Sequence, residues 1–203
     1  MIKYQLLTAR TVSIIFTPFY LPITGVVAVF LFSYLNIMPW TYKLSILLII
    51  YLFTVLIPTM LIRLYRRYQG WSVLHLLARE RRIIPYVISI ICYFTCYHLM
   101  HRHNVPHIIT SILVAALVVQ ILCAFVNVWW KISTHTAAIG GVSGGVIAFA
   151  FIFNFNPTWW LCFVILLGGL VGSSRMILRQ HTLSQVVCGY LLGMIAVIVT
   201  ILL

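Results

Sequence analysis

The sequence almost lacks acid: Glu80 is the one carboxylate side chain in 203 residues, against thirteen lysines and arginines. That scarcity excludes several chemistries. There are no paired carboxylates for glycosidic cleavage, no carboxylate-rich magnesium site, and no aspartate to orient a serine–histidine pair. Charge of either sign is also scarce, at 7% of residues where a soluble domain carries roughly a quarter. Apolar residues make up 64%, which excludes a disordered binder. The five cysteines (Cys92, Cys96, Cys123, Cys162, Cys188) all fall inside apolar runs and read as small hydrophobes rather than a disulfide framework. His98, His101, His103 and His107 share a loop region, but their spacing matches no structural zinc pattern, so neither a metal nor any other cofactor is expected.

What is present is apolar sequence long enough to cross a bilayer repeatedly. Runs near 12–36, 43–63, 83–100, 108–130, 137–155, 158–173 and 184–203 each approach the roughly 20 residues that a spanning helix needs. The expected fold is therefore all-α, a polytopic membrane bundle of six to seven helices forming one domain over 1–203. The first run carries no small-residue cleavage site and is read as a span kinked at Pro18 and Pro22, not as a removed signal. Trp129-Trp130 and Trp159-Trp160 suit membrane interfaces, and Asn154, Asn156 and Pro157 predict a tight turn. Glycines cluster late, at 140, 141, 144, 145, 168, 169, 172, 189 and 193, many four apart on one helical face. Such spacing lets helices approach closely, so the last three spans are expected to form the rigid part of the bundle.

Counting spans sorts the loops into two faces. One holds Lys3, Arg10, Arg63, Arg66, Arg67, Arg79, Arg81, Arg82, Lys131, Arg175 and Arg179; the other holds only Lys43 and Arg102. The bias predicts that the basic face is cytoplasmic. Cations set between apolar runs do not suit nucleic acid; anionic membrane lipid or a phosphate-bearing substrate is the expected partner, with no obligate protein partner.

Three polar segments meet the membrane boundary on that basic face: Arg79-Glu80-Arg81-Arg82-Ile83-Ile84-Pro85, Lys131-Ile132-Ser133-Thr134-His135, and Ser174-Arg175 followed by His181 and Gln185. Arginine offers a fork that matches phosphate oxygens. Histidine serves as nucleophile or acid near neutral pH. His181 and Gln185, four apart, share a helical face, so the Gln oxygen is placed to accept from one ring nitrogen and free the other. Ser133, Thr134 and helix-start N–H groups offer donors to an oxyanion. The set suits phosphoryl transfer in which arginine takes the place of a metal.

The third segment resembles the S-R-x5-H-x3-D signature of the type 2 phosphatidic acid phosphatase superfamily. Ser133-Thr134-His135 resembles its P-S-G-H, and Arg79 to Pro85, more loosely, its K-x6-R-P. The resemblance covers about 79–189. It implies a membrane phosphatase that acts on lipid phosphates or diphosphates in a bacterial inner membrane. It further implies His181 as the nucleophile that forms a phosphohistidine, His135 as the acid for the leaving oxygen, and Arg175, Ser133, Thr134, Arg82, Arg79 and Lys131 around the phosphate. Gln185 stands where the family has aspartate, Ile132 and Thr134 replace its proline and glycine, and the first spacing is not kept. The Gln185 exchange keeps open a non-catalytic binder or transporter of anionic lipid; a third reading is a lipid phosphotransferase that passes phosphate from His181 to another lipid instead of water.

Overall fold

A computed structural model describes residues 2–70 and 80–203. Among them are eight α-helices and no strand. Helices α1 (Ile2–Ile15) and α2 (Leu21–Phe32) are short. Six more are long and apolar enough to cross a membrane: α3 (Trp40–Tyr68), α4 (Ile83–Arg102), α5 (His107–Trp129), α6 (Thr134–Phe153), α7 (Thr158–Ile177) and α8 (Leu183–Leu202). The chain is an integral membrane protein with an all-α polytopic architecture.

Prolines and left-handed residues set the boundaries. Pro39, Pro106 and Pro157 immediately precede α3, α5 and α7, where a missing N–H costs nothing. Asn104, Asn154 and Arg179 take positive φ (53°, 51° and 52°) and end α4, α6 and α7. Asparagine tolerates that conformation through its short polar side chain. The expected turn at 154–157 is there, with Asn156 Oδ1 accepting from the Thr158 N–H at 3.0 Å.

The expected first span, 12–36, kinked at Pro18 and Pro22, is instead two separate helices. Pro18 lacks an N–H and disfavours helical geometry at Thr17, so the helix breaks between Ile15 and Leu21. The broken segment still runs the length of α7. Ser13 meets Arg175 near one end of that helix, and Phe32 packs on Trp160 near the other, their ring centroids 5.4 Å apart. The second span also exceeds its expected bounds of 43–63 and contains a π-helical turn at Leu52–Leu56. Pro58 follows at once and removes one backbone donor, a common cause of such a shift in register. Lys43, an isolated cation on the opposite face, is buried; its Nζ donates to the Asn36 carbonyl at 2.6 Å.

The closest helix pair is α6 with α8. A Cβ built at Gly193 would collide with the Ala137 carbonyl, and one at Gly140 with the Tyr190 carbonyl. Only glycine permits these backbones to touch. The consequence is functional. Helix α6 begins beside His135 and α8 begins beside His181, so a glycine-locked register fixes one histidine relative to the other.

Candidate active site

The turn between α7 and α8 is built by backbone hydrogen bonds that reach back into α7. The Arg179 N–H donates to the Met176 carbonyl at 2.8 Å and the Gln180 N–H to the Arg175 carbonyl at 3.1 Å. This closure delivers His181, 7% exposed, to the start of α8. Gln185 occupies the third position of that helix. Its Oε1 accepts from the Thr182 N–H at 3.3 Å and lies 3.1 Å from His181 Nδ1. A backbone N–H can only donate, so the Gln185 atom facing it is the oxygen. That oxygen can only accept from His181, which places the ring proton on Nδ1 and a lone pair on Nε2. Gln185 thus does two jobs from one atom: it caps α8 and sets the tautomer of the histidine beside it.

The second segment docks on the third. The Ser133 N–H donates to the Gln185 carbonyl at 3.4 Å. Ser133 is fully buried, and its Oγ accepts from the Thr136 N–H at 3.4 Å as the cap of α6. Its hydroxyl proton remains for a further acceptor. His135 follows in the first turn of α6; its Nδ1 is buried without a hydrogen-bond partner, while the ring meets the backbone of Ser13.

Three cations converge on this pair. Arg175, 8% exposed, sits in the last turn of α7 and donates from Nη1 to Ser13 Oγ; its Nε is buried without a partner. Arg82 caps the start of α4, and Lys131 precedes α6. All three act on His181. Burial, then the charges of Arg82 and Arg175, push its imidazole down to about 3, with the Gln185 hydrogen bond opposing and Lys131 adding to the fall. Burial and then Arg82 and Arg175 hold the Lys131 ammonium below its ordinary value. Burial likewise lowers the Arg82 guanidinium. Three cations crowded around a neutral ring repel one another, and the chain has one acid in all. An arrangement of this sign is relieved by a bound anion.

The structure therefore brings together His181, Gln185, His135, Ser133, Arg175, Arg82 and Lys131. Thr134 stands at the edge of the group and lines a cavity described next. Arg79 lies outside the described residues. Ser13 was not expected. It falls in what reads as the head of a spanning run, and nothing in its neighbours marks it beyond being a hydroxyl beside Val12 and Ile14.

An apolar cavity of about 250 Å³ leads away from Thr134 between α2, α5 and α6. Its walls are largely small side chains, including Gly25, Ala115, Ala138, Gly141 and Gly145. From Thr134 to Phe149 it follows α6 for 15 residues, about 22 Å of helix. Thr134, next to His135 in sequence, is where its lining on α6 starts.

Residues 127–203 match the family model of the PAP2 superfamily. No curated protein and no solved structure matches the chain. The match takes in the second and third polar segments and shows that this part of the chain is similar to that superfamily. It includes both histidines, Ser133, Arg175 and Gln185, and it supports a phosphatase-type function. Arg82 and Ser13 lie outside it.

Proposed function

We propose that this chain is a membrane lipid-phosphate phosphatase that works through a phosphohistidine. The observation that carries the reading is the lone pair on His181 Nε2, set by Gln185 among Arg175, Arg82 and Lys131, with an apolar cavity lined from Thr134 onward along α6. The substrate phosphate, or the terminal phosphate of a diphosphate, is held among these cations. Ser133 and Thr134 add donors, Arg79, outside the described residues, is a further candidate cation, and the hydrocarbon lies in the cavity. Nε2 attacks phosphorus and the bond to the leaving oxygen breaks. His135 Nδ1, the ring nitrogen that has no protein partner, takes up the proton of the substrate phosphate monoanion and delivers it to that oxygen. Water then cleaves the phosphorus–nitrogen bond, releasing phosphate and restoring the ring. Electrostatic positioning by arginine supplies what a metal supplies elsewhere. The charge bias supports a cytoplasmic orientation of this face, and the family resemblance supports a bacterial inner membrane.

The test is phosphate release from a panel of lipid mono- and diphosphates by detergent-purified protein in EDTA. Sustained release in EDTA is expected. Activity abolished by EDTA and restored by a divalent cation would overturn the mechanism. Saturable lipid binding with no release would favour the binder reading, for which Gln185 in place of aspartate is the specific observation. Appearance of phosphate on an added alcohol would show transfer.

The pH profile carries a separate expectation. Because His181 is held near 3, its Nε2 stays unprotonated across the neutral range and is lost only as pH falls toward that value. In Gln185→Asp a carboxylate beside Nδ1 favours the imidazolium, so the acid limb of kcat/KM should move up by about 1 unit or more. Ionisation of the substrate contributes equally to both profiles, so the difference isolates the ring. An acid limb unmoved by Gln185→Asp would show that His181 is not the titrating nucleophile.

A further inference from the structure

We propose that Ser13 of α1 is a positioning residue of the phosphate site, holding the Arg175 fork in the orientation that receives a phosphoryl group. The inference rests on the phosphatase reading above and extends it to an element outside the region 127–203.

Three observations carry it. First, α1 presents Ala9, Val12, Ser13 and Phe16 on one helical face. Val12 and Phe16 pack on the cluster of Ile139, Val164 and Val171, and Ala9 is 3% exposed. This apolar seat fixes Ser13, itself 7% exposed, against the end of α7. Second, Ser13 touches both sides of the site: its Oγ accepts from Arg175 Nη1, and its backbone meets the His135 ring. Third, the donor left over is aimed elsewhere. With Nη1 engaged by Ser13, Arg175 Nε is buried and unpartnered, as is His135 Nδ1. Two buried polar nitrogens without partners are costly unless a ligand completes them. An arginine side chain has many rotamers, and pinning one of its terminal nitrogens restricts the guanidinium to a single presentation. Ser13 fits this role, and α1 is the arm that carries it there.

The test uses the full-length protein in detergent, with inorganic phosphate as the probe and lipid phosphate as substrate. Ser13→Ala should weaken phosphate binding, read as its inhibition constant and as direct binding, and raise KM by about 10-fold or more, the weight of a hydrogen bond to a charged group. Ser13→Thr keeps the acceptor and should restore most of the loss. Coupling separates positioning from mere packing: in an Arg175→Lys background, where the fork is gone, Ser13→Ala should have little further effect on phosphate binding. Phosphate affinity and KM within twofold of the native protein in Ser13→Ala would overturn the proposal. Effects that simply add to those of Arg175→Lys would overturn it as well. If the native protein binds phosphate, Ser13→Ala weakens it and no lipid phosphate is hydrolysed, the phosphatase reading fails while Ser13 stands. If the native protein does not bind phosphate, both fail.

Discussion

Replacing His181 by alanine is expected to bring phosphate release down to background, a loss on the order of 10³-fold or more, because the step removed is covalent and no neighbour can take it over. The geometry is specific on this point. Gln185 Oε1 is held by the Thr182 N–H and in turn holds His181 Nδ1, so the reactive nitrogen is chosen by the cap of a helix. His135 cannot substitute, since it sits on α6 with one ring nitrogen against the Ser13 backbone and the other committed to the leaving oxygen. Water cannot substitute either, because the cations that stabilise charge on phosphorus supply no base. The same variant should retain inorganic phosphate binding through Arg175, Arg82 and Lys131. Brief mixing of native protein with radiolabelled lipid phosphate should leave acid-labile label on the chain, and none on His181→Ala. Hydrolysis within tenfold of native in His181→Ala would remove this histidine from the reaction.

What the sequence revealed of this site, and what it hid, follows from how local each feature is. Six of the helices are continuous apolar runs of bilayer length, and length and composition alone decide such elements. The third motif was equally legible, since Arg175, His181 and Gln185 lie within one helix end, one turn and one helix start. The pairing of His135 with His181 depended on the glycines at 140 and 193, whose spacing signals close approach without naming the partner helix. The first span was read as one helix kinked at Pro18 and Pro22, and the extent of the interruption, a full break between Ile15 and Leu21, was not legible. Pro18 sits in an apolar run, and its backbone restriction, not its polarity, breaks the helix. That break is what turns α1 along α7 and brings Ser13 to a residue 162 positions away. A hydroxyl inside an apolar run reads as tolerated polarity until the tertiary contact is seen. The double use of Gln185 was also hidden, because a capping glutamine and a histidine-orienting glutamine look identical in sequence.

The second large effect concerns the cavity, and it separates the headgroup from the hydrocarbon. Filling the space with Ala138→Phe or Gly145→Leu should cost a long-chain lipid phosphate about 100-fold or more in kcat/KM while leaving a short soluble ester such as butyl phosphate nearly unchanged. Each methylene withdrawn from water is worth about 0.8 kcal/mol, so expelling four of them from the cavity removes about 3 kcal/mol of binding, or roughly 200-fold. Gly145 is a suitable position because a Cβ there meets only the Val197 side chain, at 3.9 Å, whereas at Gly144 it would strike the Met194 backbone. Ala138 lines the same wall one and a half to two turns nearer to Thr134. The short ester reports on the integrity of the catalytic group, so the comparison carries its own control for folding. Equal loss on both substrates would mean that the substitutions disturb the histidines through α6. No loss on either would place the hydrocarbon outside this cavity. Selective loss on the long chain would show that the small residues of α6, together with the α2 wall at Gly25, hold the lipid, and that the broken first crossing contributes to both halves of the substrate: Ser13 at its phosphate and α2 along its chain.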